Sequence, residues 1–145
     1  MDVSLIAPCG MNCALCLAYQ RDTNRCSGCR DNAVPKPVSR LRCVIKNCEK
    51  RLQNGWVNCS PCPRPCARLK GLDKRYREKY GMSMLENLAC IRDNGMKAFL
   101  GQQAREWTCK TCGGVICVHR GKCLQCETEK PPEAASADGS ADTPI

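Results

Sequence analysis

Cysteine spacing constrains this chain more than any other feature. Fifteen of its sixteen cysteines fall into three groups of five. The first is Cys9, Cys13, Cys16, Cys26 and Cys29. The second is Cys43, Cys48, Cys59, Cys62 and Cys66. The third is Cys109, Cys112, Cys117, Cys123 and Cys126, with His119 among them, and Cys90 stands alone. Cysteine therefore fills about one position in nine of 145 residues, a density that signals disulfides or metal. Only six aromatics are present (Trp56, Trp107, Tyr19, Tyr76, Tyr80 and Phe99), too few for an ordinary core of this size. Residues 1–10 carry neither a basic stretch nor a long apolar run, so the expected setting is a reducing cytoplasm. Disulfides are rare there, and metal ligation is the expected use of the thiols.

The third group carries the clearest pattern. Cys109-x2-Cys112 and Cys123-x2-Cys126 are separated by ten residues, which is zinc-ribbon spacing. A pair three apart on a tight turn can aim both sulfurs at one metal. Gly113 and Gly114 let the first turn close through positive φ. Val115 to His119 reads as a short strand returning through Arg120-Gly121-Lys122. On such a strand Cys117 and His119 share a face, so they stand as alternative ligands or as a supporting pair.

The first group offers a second four-cysteine clasp, Cys13, Cys16, Cys26 and Cys29, with Cys9 as an additional or exchangeable ligand. Cys9-x3-Cys13-x2-Cys16 also matches the three-cysteine spacing of radical S-adenosylmethionine enzymes. Those enzymes need a large α/β scaffold, and no series of strands follows the motif here. The second group gives a third set, Cys43, Cys48, Cys59 and Cys62, with Cys66 as an additional ligand. Three clustered cysteines and a remote fourth suit either zinc or a cubane iron–sulfur cluster.

Helical patterning fills the spaces between the groups. Ser39 is a candidate N-cap for a helix over Arg40 to Gln53, stopped by Asn54-Gly55. Pro65 to Tyr80 is a basic helical segment with Arg68, Lys70, Lys74, Arg75, Arg77 and Lys79. Ser83 to Glu86 is a capping box opening a helix with Leu85, Leu88, Ala89 and Ile91 on its apolar positions. Asn94-Gly95 closes it. A further helix over Met96 to Trp107 carries Phe99, Leu100 and Ala104. Cys90 fits the apolar face as a small buried residue. Three parts result: a cysteine-rich helical domain over 1–106, a ribbon module over 107–126, and a disordered acidic tail over 127–145.

Charge needs a correction before it is read as function. The formal net charge is +9, and residues 1–126 hold 22 bases against 9 acids, or +13. Each four-thiolate site with a divalent metal subtracts two, so three such sites bring this part to about +7. Much of the basic excess then balances thiolate charge, which weakens the case for nucleic acid as a partner. No apolar run approaches the roughly 20 residues of a membrane span. No phosphate loop or dinucleotide fingerprint appears, and the single histidine lies inside a metal knuckle, so no catalytic set is assigned.

The order APCGMNCALCLAY, CSGC, Cys43-x4-Cys48, Cys59-x2-Cys62-x3-Cys66, SMLENLACIRDNG and WTCKTCGG resembles a family of short cysteine-rich proteins from bacteria and archaea. It is the domain-of-unknown-function family numbered 3795, and the likeness covers roughly residues 5–126. The resemblance implies metal binding without specifying the metal or a reaction. It supports Cys9, Cys13, Cys16, Cys26, Cys29, Cys59, Cys62 and Cys66 as family positions.

The expected fold is a small metal-stabilised α+β protein, with short helices, zinc-knuckle loops and a C-terminal zinc-ribbon hairpin. The expected function is a non-catalytic adaptor or regulator that holds about three zinc ions and presents its surface to a protein partner. An iron–sulfur electron-transfer or accessory subunit is the alternative. Nucleic-acid binding is the third reading, and no membrane role is expected.

Overall fold

The computed structural model describes residues 1–31 and 41–132. Within them the chain is a small α+β protein of five helices and one two-stranded antiparallel sheet. The helices are α1 (Leu17–Gln20), α2 (Glu49–Gln53), α3 (Ala67–Tyr80), α4 (Met84–Asn94) and α5 (Met96–Trp107). Strands β1 (Ile116–Cys117) and β2 (Lys122–Cys123) form the hairpin, with Ile116 opposite Cys123. None of these helices is long and apolar enough to cross a membrane.

The central helices begin where local chemistry starts them. Ser83 caps α4, its hydroxyl accepting from the Glu86 amide at 3.1 Å. Buried Asp73 on α3 strengthens that cap. Its Oδ1 accepts from the Ser83 hydroxyl at 2.6 Å and from the Leu85 amide at 3.1 Å. Its Oδ2 pairs with Arg77 Nε at 2.8 Å. Burial alone would raise the Asp73 carboxyl, but these bonds and the Arg77 charge outweigh it and hold the pKa below the ordinary value. Helix α3 ends in a Schellman turn, with the Met82 amide bonding the Tyr76 carbonyl. At its other end Cys66 is the N-cap, its sulfur accepting from the Leu69 amide at 3.4 Å. Cys90 is half-buried and lies 3.2 Å from Gln102 Oε1, so it joins α4 to α5.

The N-terminal loop packs against α4. Gly10 has φ +90°, and a Cβ there would stand 2.9 Å from Leu88 Cγ, so both the conformation and the contact require glycine. Asn87 of α4 donates to the Gly10 carbonyl at 3.0 Å. Fully buried Asn12 caps a 3-10 turn over Cys13–Leu15 by accepting from the Ala14 amide. The Cys59 amide reaches the Pro8 carbonyl at 2.9 Å, tying the second cysteine group to the first.

One core runs through helices, loops and hairpin. Leu15, Leu69, Met84 and Leu88 share it with Trp107, Ile116, Val118 and Cys123. Residues 107–126 thus share their packing with the chain before them. The Val118 amide bonds the Leu15 carbonyl at 2.9 Å, more than a hundred residues away.

Three expectations need correction. The helix expected over Arg40 to Gln53 is interrupted among the described residues: residues 42 and 44–47 form turns before the helix Glu49–Gln53. The Arg51 guanidinium explains this, because it gathers the carbonyls of Lys46, Trp56 and Val57 and folds the flanking chain around itself. Its expected cap, Ser39, lies outside the described residues, as does the tail beyond residue 132. The strand expected over Val115–His119 is shorter, because Val118 turns to bond Leu15. Finally, Glu127 to Lys130 belong to the hairpin. The Cys123 amide bonds the Thr128 carbonyl, the Lys130 amide bonds Gly121, and Lys122 pairs with Glu127.

Candidate metal centre

The four sulfurs of Cys109, Cys112, Cys123 and Cys126 lie within 4.8 Å of one another. Cys109 Sγ is 3.6 Å from Cys126 Sγ, and Cys112 Sγ is 3.5 Å from Cys123 Sγ. Four thiolates bound tetrahedrally at about 2.3 Å from one ion would stand about 3.8 Å apart, so the set is near the size of one ion's shell.

Local backbone builds each knuckle. The Gly113 amide returns to the Cys109 carbonyl at 2.9 Å, and the Cys109 amide bonds Gly114 at 2.7 Å. Gly113 takes φ +75°. A Cβ at Gly114 would meet Gln125 Oε1 at 2.7 Å, so any side chain there would displace the Gln125 amide. The Gly114 amide donates to Cys112 Sγ at 3.4 Å. In the second knuckle the Glu127 amide closes on the Cys123 carbonyl, and Thr128 Oγ1 lies 3.1 Å from Cys126 Sγ.

Electrostatics makes the set ready for a cation. The amides of Cys112 and Thr111 lower the Cys109 thiol pKa. The Thr128 hydroxyl and amide push Cys126 down to about 6. Cys112 moves the other way. The Gly114 amide favours its thiolate, but the sulfurs of Cys123 and Cys126 outweigh it and raise Cys112 to about 12. The backbone and Thr128 thus favour thiolate on Cys109 and Cys126, while the neighbouring sulfurs disfavour it on Cys112, a repulsion that a bound dication would relieve.

Cys117 and His119 stand outside this set. Cys117 is fully buried in the core. His119 joins the hairpin to the helices. Its Nδ1 accepts from the Leu17 amide at 3.2 Å, and Nε2 lies 3.0 Å from the Tyr76 hydroxyl. Accepting at Nδ1 places the neutral ring's proton on Nε2, which then donates to Tyr76. Tyr80 stacks edge-on against the same ring at 4.9 Å.

The other two sets are arranged differently. Among the described residues, only the hairpin group has three or more potential ligands within 4.8 Å of one another. Cys13, Cys16 and Cys29 line a cavity with Cys9 and Cys43, whereas Cys26 is buried outside its wall and its amide bonds Ala18. Burial pushes the Cys9 thiol up to about 12, with Cys29, Cys43 and Cys59 adding to the rise. The Cys29 thiol and burial both raise Cys13. Cys59 is raised to about 11 by burial, against the pull of Arg51, with Cys48, Cys62 and Cys66 close enough to contribute. Cys48 precedes α2, and Cys62 Sγ lies 3.2 Å from the Arg64 carbonyl.

Sequence reasoning missed Thr128, which sits two residues past the last ligand and acts through both its amide and its hydroxyl. It also missed Tyr76, whose ring lies between the cavity and His119. No protein-family model, curated protein or solved structure matches the chain.

Proposed function

We propose that this chain is a non-catalytic zinc-binding adaptor or regulator, with its C-terminal hairpin a zinc ribbon. The ligands are Cys109, Cys112, Cys123 and Cys126. The observation that carries this reading is their convergence within 4.8 Å, at the spacing one tetrahedral ion requires. Zinc fits a site whose four ligands are all thiolates at tetrahedral spacing. The metal would hold the knuckles while the hairpin's outer surface meets a protein partner. The resemblance to the cysteine-rich prokaryotic family agrees with metal binding.

Elemental analysis of the full chain, beside a Cys109→Ser/Cys126→Ser variant, tests the reading. The variant should lose one equivalent of zinc. Equal zinc in both proteins would refute the site. Binding of RNA or DNA at low salt, lost steeply as salt rises, would move the function to nucleic acid.

A further inference from the structure

The cavity between the N-terminal loop and α3 is built on another plan. It has a volume of about 230 Å³, against the roughly 10–15 Å³ that holds one water on the same measure. Five thiols line it: Cys9, Cys13, Cys16, Cys29 and Cys43. No three of them lie within 4.8 Å of one another, so they cannot close on one tetrahedral ion as they stand. A ring of thiols around such a space suits a polynuclear centre, where metal and sulfide atoms fill the middle and each cysteine holds one corner.

We propose that this cavity is a four-iron iron–sulfur site, with Cys9, Cys13, Cys16 and Cys29 as its ligands. Three of these thiols sit on one strapped loop. That loop is fixed by the Gly10 contact with Leu88, by Asn87 on the Gly10 carbonyl, and by the Cys59 amide on Pro8. The fourth is locked to them, because the Cys29 amide donates to Cys13 Sγ at 3.4 Å. Amide bonds to ligand sulfur are a recognised means of setting a cluster's potential. Cys43 approaches from the second cysteine group and flanks the cluster without holding iron. The remaining wall suits an anionic occupant. Four thiolates around such a cluster leave net negative charge, and Lys46, Arg68 and Arg75 line the same cavity. The apolar parts of the wall, Ile45, Leu72 and Met84, limit water at the cluster.

The site is separate from the hairpin and stands or falls without it. The test is iron and acid-labile sulfide on the full chain, loaded without oxygen with equal amounts of ferrous and ferric iron and with sulfide. The expected result is about four of each per chain, with broad visible absorption. Single serine variants at Cys9, Cys13, Cys16 and Cys29 should each lose most of the iron and sulfide. Cys43→Ser and Cys90→Ser should keep both. Circular dichroism on each variant separates ligand loss from failure to fold, and Mössbauer spectra of the unaltered protein report the cluster directly. Uptake of zinc at this cavity without sulfide, or no sulfide in the unaltered protein, would overturn the proposal. Loss of the cluster in Cys43→Ser with retention in Cys16→Ser would overturn the ligand assignment.

Discussion

The hairpin and the N-terminal region both carry two Cys-x2-Cys pairs, yet they gather sulfur in different ways. In the hairpin both pairs lie on turns at one end of a two-stranded ladder, and all four sulfurs converge. In the N-terminal region the pairs are separated. Cys29 faces the cavity with Cys13 and Cys16, while Cys26 is anchored to Ala18 outside it. A pair's spacing therefore fixes the turn it makes, and the surrounding chain decides what the pair faces.

The sharpest way to break the comparison is metal removal. Structural zinc in small domains contributes about 10–16 kcal/mol, as much as or more than the about 5–15 kcal/mol by which a typical domain is stable. Chelation under reducing conditions should therefore abolish cooperative melting by circular dichroism. A stripped protein that keeps its full helical signal and a sharp melt would show that packing alone holds the fold.

Glycine substitutions separate the two regions next. Gly10→Ala combines a left-handed conformation with overpacking against Leu88 and should cost about 2–4 kcal/mol in urea unfolding. Gly113→Ala meets open space and should cost only the backbone part, about 1–2 kcal/mol. Equal costs would mean that the N-terminal loop is not pressed against α4 as described.

Asp73 supports the cavity wall from behind, through α3 and α4. Asp73→Ala leaves the Ser83 and Leu85 donors without their acceptor and should cost about 1–3 kcal/mol. The folded carboxyl is held below its unfolded value, so its stabilisation is full above about pH 4 and disappears as acid protonates it. The gap between the parent and the variant should therefore close on acidification. A gap that stays constant from neutral pH to below pH 3 would contradict the ion pair.

The smallest effect tests the link between the regions. Tyr76→Phe removes one bond to His119 and should cost about 0.5–1.5 kcal/mol, with zinc and iron contents unchanged. A change in either metal content would make Tyr76 part of a site.

Where structure is local, the sequence made it legible. Ser83 starts α4 and Gly95 ends it through contacts within four residues, so these boundaries follow from pattern alone. The convergence of the four hairpin sulfurs follows for the same reason, because 18 residues contain the whole set. The segment from 41 to 58 did not, because Arg51 reaches carbonyls on both sides and overrides helical periodicity. Nor did the cavity, whose walls come from residues 7–16, 29, 43–46 and the face of α3. Arg68 and Arg75 read as parts of a basic stripe until the fold turned them toward thiols, and Arg77 toward Asp73.

The bonds from Val118 and His119 back to Leu15 and Leu17 set an order on synthesis. During translation the first cysteine group emerges about a hundred residues before the partners that secure its loop. The residues that hold the Gly10 loop, Cys59, Asn87 and Leu88, are made before the hairpin, whereas the anchors at Leu15 and Leu17 wait for it. For that interval Cys13 and Cys16 lack the last backbone anchors of their segment, and thiols exposed in that way are the ones open to oxidation.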